Sequence, residues 1–257
     1  MTHRTATTSL LRGRVTLLQP EKGFRAGLDT VFLAASVTAK KGQHILDVGC
    51  GVGSAGLCAL ARLPDGVQLT GLDAQSDMIA LAEQNAENNG VAGRCRFVSG
   101  NLKTERQVPD NAFHAVMMNP PYQEDGTHLR SAHTGKAMAR DEGGTGATLE
   151  NWIKYTHKKL KQGGMLSIVH RADRLDDIIL HLTKRRWFGT IAIYPLWPRK
   201  GENAKRVIIR ARKERYAPIV LHAGIILHQK NGNYTTAAKK VLEAAEALDF
   251  IKDEGSY

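Results

Sequence analysis

A doubly wound α/β fold is what the sequence predicts, its sheet mostly parallel with an antiparallel closing strand. Three observations carry this. Short apolar runs alternate with helical stretches from Gln43 onward, the glycine-rich stretch Gly49–Gly53 joins the first run to the first helix, and an acid, Asp73, ends the second run. The chain has 257 residues, 42% hydrophobic and 24% charged, which suits one large α/β domain or two small ones with a buried core.

The elements follow in order. Arg14–Gln19 and Phe24–Gly27 flank the turn-forming Pro20–Gly23, which predicts a hairpin, and Asp29–Thr38 reads as a helix. Residues 1–40 are thus expected to form an N-terminal hairpin and helix element, ahead of a main domain over 41–257. His44–Val48, Val67–Leu72, Arg94–Ser99, Ala112–Met118 and Met165–His170 read as strands. Between them Ser54–Leu63, Ser76–Asn89, Leu149–Lys161 and Leu175–Lys184 read as helices, with Gly90 suited to a left-handed C-cap. Ile191–Tyr194 and Ala204–Arg212 complete the sheet as an antiparallel hairpin. Gln123–Gly146 is polar, aperiodic and long enough to be a functional or disordered loop.

Charge narrows the partners. With 36 Lys+Arg against 25 Asp+Glu the net charge is +11, which suits a polyanion without requiring one. No apolar run approaches the ~20 residues that span a bilayer, and no membrane association is expected. The start lacks an apolar core with a small-residue cleavage site. The only cysteines are Cys50, Cys58 and Cys95, without metal-ligand spacing, so a reduced, cytoplasmic setting is expected. His128 and His133 lack a convincing third ligand, and no metal is expected.

The strand-to-helix turn Asp47-Val48-Gly49-Cys50-Gly51-Val52-Gly53 lets backbone approach a ligand closely, and Asp73 stands where an acid can accept both ribose hydroxyls. The third glycine comes one position too early for the dinucleotide pattern. Asp47 would sit badly beside a pyrophosphate and well beside an ammonium, which favours S-adenosylmethionine over NAD. Asp47, Gly49, Cys50, Gly51, Gly53, Asp73 and Asn101 are the cofactor-site candidates, with Asn119 shared.

Asn119-Pro120-Pro121-Tyr122 follows a strand at the edge where such sheets bind ligands. These residue types suit methylation of a planar amine. The Asn119 oxygen and the Pro120 carbonyl can accept its two N–H bonds, two prolines stiffen the turn, and Tyr122 offers a stacking face.

These motifs resemble those of class I S-adenosylmethionine-dependent methyltransferases of the amino-methylating N-P-P-Y group, which have a Rossmann-like sheet. Within that group the chain is most similar to the bacterial tRNA1(Val) adenine-N6 methyltransferase family. Gln19-Pro20, Gly23-Phe24-Arg25 and Asp29 match its N-terminal element, Ala204-Lys205-Arg206 its A-K-R, and Gly232-Asn233-Tyr234-Thr235 its late G-x-Y-T. The resemblance implies an adenine amine in RNA, most naturally tRNA, as acceptor. Three departures stand out, one being the Gln123–Gly146 loop, longer and more basic than the resemblance leads one to expect. Asn101 occupies a position where the wider superfamily often has an acid reading the cofactor adenine, and Asp73 stands where the family commonly has Glu. A protein glutamine amide, or a cofactor-binding module without catalysis, are the alternative readings.

For a large acceptor, Arg25, Arg140, Lys205, Arg206, Arg210 and Arg212 are the contact candidates. Along Ala204–Arg212, Val207, Ile209 and Ala211 alternate with Arg206, Ile208, Arg210 and Arg212. That pattern reads either as a half-buried strand with a basic outer face or as a phosphate track. Arg199–Arg215 holds eight Lys/Arg against two Glu, so the excess charge looks local. Lys158, Lys159 and Lys161 read as a solvated helix end.

Overall fold

The computed structural model describes residues 4–21, 26–121 and 147–249. The hairpin is made by β1 (Thr5–Leu10) and β2 (Val15–Pro20), paired antiparallel across a short 3-10 turn at Leu11–Gly13. The hairpin pairs the expected strand at Arg14–Gln19 with one that precedes it; of the expected strand Phe24–Gly27, Ala26 and Gly27 form no strand, and residues 22–25 lie outside the described residues. Helix α1 (Leu28–Ser36) follows, with Phe32 and Leu33 fully buried.

The main sheet is built from β3 (His44–Val48), β4 (Gln68–Asp73), β5 (Cys95–Ser99), β6 (Phe113–Met118) and β7 (Leu160–Arg171), all parallel. Helices α2 (Ser54–Leu60), α3 (Ser76–Asn88), α4 (Leu149–Lys159) and α5 (Leu175–Thr183) connect or cover them. Strands β8 (Phe188–Trp197) and β9 (Arg206–Lys213) form the antiparallel hairpin, but β9 inserts between β7 and β8 instead of closing the edge. Two short strands, β10 (Val220–Leu221) and β11 (Ile225–Ile226), pair parallel with β8, and α6 (Thr236–Leu242) is the last helix of the described residues. The order is β10-β8-β9-β7-β6-β3-β4-β5. The chain winds outward from β3 through β4 to β5, then returns to β6 on the other side of β3, so the topological switch lies between β3 and β6.

Strand residues alternate between two apolar layers. Ile45, Leu69, Ala115, Met117 and Ile208 pack with α1, α2 and α6; Leu46, Val48, Val116, Ile168 and Ile209 pack with α4 and α5. With helices on both faces, these strands read as near-continuous apolar runs.

Helix α3 shows how the hairpin is attached. Its buried positions Ile79, Ala82, Asn85 and Ala86 recur at helical spacing. The fully buried Asn85 accepts from Leu18 N–H at 2.7 Å and donates to the Leu18 carbonyl at 2.9 Å. One turn on, Asn89 repeats this with Thr16, accepting at 2.9 Å and donating at 2.7 Å. Two side-chain amides thus satisfy the outer edge of β2 as a neighbouring strand would. Asn85 also donates to the Val52 carbonyl at 3.0 Å, tying the hairpin to the glycine-rich loop.

Asn85→Ala leaves those backbone groups without this partner and should cost about 2–4 kcal/mol in urea unfolding. A loss below about 0.5 kcal/mol would show that the hairpin is held by other contacts.

Candidate functional site

Strand register brings the candidate residues to one edge. Val48 is opposite Leu72 on one side and Met118 on the other. Gly49, Asp73 and Asn119, the next residue in each case, therefore leave the sheet side by side. Asp73 is in turn opposite Ser99, which places the turn at Asn101 next along the same carboxyl edge.

The glycine-rich loop is held by the end of β4. The Leu72 carbonyl accepts from Gly49 N–H at 2.7 Å and Cys50 N–H at 3.0 Å. Asp73 Oδ2 accepts from Gly51 N–H at 2.8 Å, and its Oδ1 from Gln75 N–H at 3.0 Å. Gly49 has φ +72°, and a Cβ there would come within 2.5 Å of the Trp152 ring on α4. Only glycine lets that indole close over the turn. Gly51, at φ +53°, differs: a Cβ built on it would meet no atom of the described residues within 4 Å. Among the described residues open space lies before its backbone, beside a half-buried carboxylate with lone pairs beyond those taken by the amides of Gln75, Gly51 and Ala74. That combination fits the ribose end of a nucleoside cofactor.

Asp47 is 2% exposed and faces helix α2, where its Oδ2 accepts from Gly56 N–H at 3.0 Å. Burial pushes its carboxyl up to about 7, the Gly56 hydrogen bond opposes the rise, and the charge of Asp73 adds to it. Burial raises Asp73 as well, against the amides of Gln75, Gly51 and Ala74. The Cys50 side chain is buried under the loop, toward Gly71, and burial holds its thiol well above the usual range; only its backbone belongs to the cradle. Gly53, at φ +81°, precedes α2. Asn101 opens a turn: its Oδ1 accepts from Lys103 N–H at 3.0 Å and its carbonyl from Thr104 and Glu105.

Asn119 is half-buried, Pro120 buried and Pro121 exposed. Tyr122, Arg25 and Arg140 lie outside the described residues, as do His128 and His133. Among the described residues no group of three or more His, Cys, Asp or Glu could hold a metal, and no helix is long and apolar enough to cross a membrane.

The basic strand is internal and not a wet outer face. Because β9 sits inside the sheet under α1, Arg210 is 0% exposed and donates to Thr38 Oγ1 at 3.0 Å; it cannot line a phosphate track. Arg206 pairs with Asp29 across 2.9 Å, joining the A-K-R element to the N-terminal one. Arg212 is half-buried against the Gly163 carbonyl, and Lys205 is exposed where β9 begins. Gln19 is likewise structural, accepting from Ala26 N–H at 3.0 Å, and Thr235 caps α6 through Ala238 N–H at 3.1 Å.

The methyltransferase small domain family matches residues 25–181, more than half of the chain. The chain belongs to that family. It is a methyltransferase. Over 215 residues it is 22% identical to the tRNA1(Val) (adenine(37)-N6)-methyltransferase of Haemophilus influenzae, covering 83% of this chain and 87% of that one. Among solved structures, one described as a predicted O-methyltransferase from Agrobacterium tumefaciens superposes with a TM-score of 0.70 at 24% identity, covering 86% of this chain and 98% of that one. The tRNA (m1A58) methyltransferase TrmI of Aquifex aeolicus gives 0.54 at 14% identity over 77% of this methyltransferase and 72% of that chain. At those identities the likeness is one of fold.

The Asp47 site carries a pH signature. In the unfolded chain its carboxyl ionises near the ordinary 3.8, so between about 4 and 7 the folded protein holds a proton the unfolded chain has released. Stability contributed by this group therefore falls as pH rises through that window. Asp47→Asn keeps an oxygen for Gly56 N–H and removes the titration. Its urea midpoint should gain on that of the unsubstituted protein between about pH 5 and 7.5. A constant difference across that range would show that Asp47 does not titrate there.

Proposed function

We propose that this methyltransferase acts on an exocyclic adenine amine in RNA, most naturally tRNA. The observation that carries the reading is the placement of Asn119 and Pro120 beside Gly49 at the topological switch, immediately past β6. S-adenosylmethionine supplies, when bound, an electrophilic methyl group on sulfur. Asp73 would hold its ribose hydroxyls, the backbone of Gly49, Cys50, Gly51 and Gly53 its methionine end, Asn101 the edge of its base, and Asp47 would favour its ammonium through the loop.

The chain's task is to bind and orient the acceptor. The Asn119 side-chain oxygen and the Pro120 carbonyl accept the two N–H bonds of the amine, which turns its lone pair away from the ring plane. Proline fixes φ at both following positions, so those acceptors are aimed with little loss of entropy. Tyr122 supplies the stacking face. No general base is needed, because the methylated ammonium releases its proton to water. A loop base suits the site, being cheaper to present than one extracted from a duplex. The similarity to an enzyme named for adenine N6 in tRNA supports the same acceptor.

Labelled S-adenosylmethionine offered with total RNA and, separately, with protein extract tests the reading. Label in N6-methyladenosine after nuclease digestion is expected. Label in protein glutamine, or in another nucleoside alone, would overturn it.

A further inference from the structure

A cavity of about 390 Å³ opens between the turn after β5 and the solvent side of α4. Its floor is a closed ion network. The buried Glu105 accepts from Tyr155 Oη at 2.7 Å and from Val108 N–H at 2.5 Å. The buried Lys159 lies 3.6 Å from Glu105 and 2.8 Å from Asp110, and donates to the Val108 carbonyl. Among the described residues, Glu105 and Asp110 are the carboxylates lining the cavity, and Lys159 contacts both. The walls carry four further cations, Lys103 and Arg106 on the turn, Lys154 and Lys158 on α4, all exposed. Lys154 and Lys158 are four apart, so both project on one helical face. Neither makes an ion pair among the described residues. Among the described residues of the lining, five cations stand against two carboxylates, so the groove carries a net positive charge.

We infer that this groove, walled by Lys103, Arg106, Lys154 and Lys158, seats the phosphodiester backbone of the RNA acceptor along the flank of the sheet that leads to the candidate site. The inference rests on the RNA reading above. The groove starts at the carboxyl edge of the sheet and runs down to Lys158, whose carbonyl accepts from Asn111 N–H at 2.8 Å just before β6, so it offers a track leading away from the candidate cofactor site. The turn begins at Asn101, and α4 carries the Trp152 ring that covers Gly49. Mobile ammonium groups over a fixed polar floor suit backbone contact without base readout. The groove also supplies the polyanion surface that Arg210 cannot.

The test is RNA binding against salt for the full chain, using a transfer RNA fraction as probe, with cofactor affinity measured in parallel. The Lys154→Ala/Lys158→Ala pair should bind RNA about ten-fold more weakly at fixed salt and lower the log–log salt slope by about one per lysine. Cofactor affinity should be unchanged. Lys154→Arg/Lys158→Arg should restore binding, and Lys239→Ala/Lys240→Ala, which removes the same charge from exposed positions on α6, should leave the slope unaltered. An unchanged slope in the Lys154/Lys158 pair, with RNA still bound by the unsubstituted protein, would overturn the groove alone. An equal drop in the α6 control would overturn it too, by showing only bulk charge. Absence of salt-dependent RNA binding by the unsubstituted protein would overturn the RNA reading itself.

Discussion

The carbonyl of Leu72 accepts hydrogen bonds from two successive amides, Gly49 and Cys50, and the adjoining Asp73 carboxylate takes the amide of Gly51. Three backbone donors of the glycine-rich loop are therefore committed to the end of a neighbouring strand before any ligand arrives. This requires β3 and β4 to be in register at Val48 and Leu72. It also requires Gly49 to carry no side chain, since the Trp152 ring occupies that space. The loop is fixed by strand, helix and carboxylate together, and its open side is at Gly51. Preorganisation of this kind lowers the entropy that binding must otherwise overcome.

Around that constraint the rest of the molecule is arranged as support. Asn85 reaches the loop from α3 through the Val52 carbonyl while holding β2 with the same amide. Asp47 anchors the start of α2 from below. The Arg206–Asp29 pair joins sequence elements 177 positions apart, holding the N-terminus of α1 near the carboxyl edge of the sheet. The positive charge divides in the same way. Arg210 and Lys213 are buried with structural partners, Lys213 donating to Asn111 Oδ1 and the Leu160 carbonyl, so part of the +11 never meets solvent.

Much of this was legible in the sequence because its signals were local. A glycine-bearing turn between an apolar run and a helix, an acid at the next strand end and Asn119-Pro120-Pro121 after another strand each sit within a few residues. What was not legible depends on pairings between distant segments. Strand β1 is Thr- and Ser-rich, alternates between exposed and half-buried, and so carries little apolar signal. The alternation of arginines in β9 resembles a wet outer face, yet α1 covers that face and Thr38 meets Arg210. Lys159 looks like any basic helix end, because nothing near it in sequence announces Glu105 and Asp110 across the groove. The four-residue spacing of Lys154 and Lys158 was the one clue available.

The central claim is that the loop and the Asn119 turn form one site with separate tasks, the first holding cofactor and the second orienting the acceptor amine. Turnover and S-adenosylmethionine affinity of Asn119→Ala, measured on the same preparation, test it most directly. The account predicts that turnover falls by about two orders of magnitude or more while cofactor affinity stays within a few-fold. Turnover near that of the unsubstituted enzyme would contradict it.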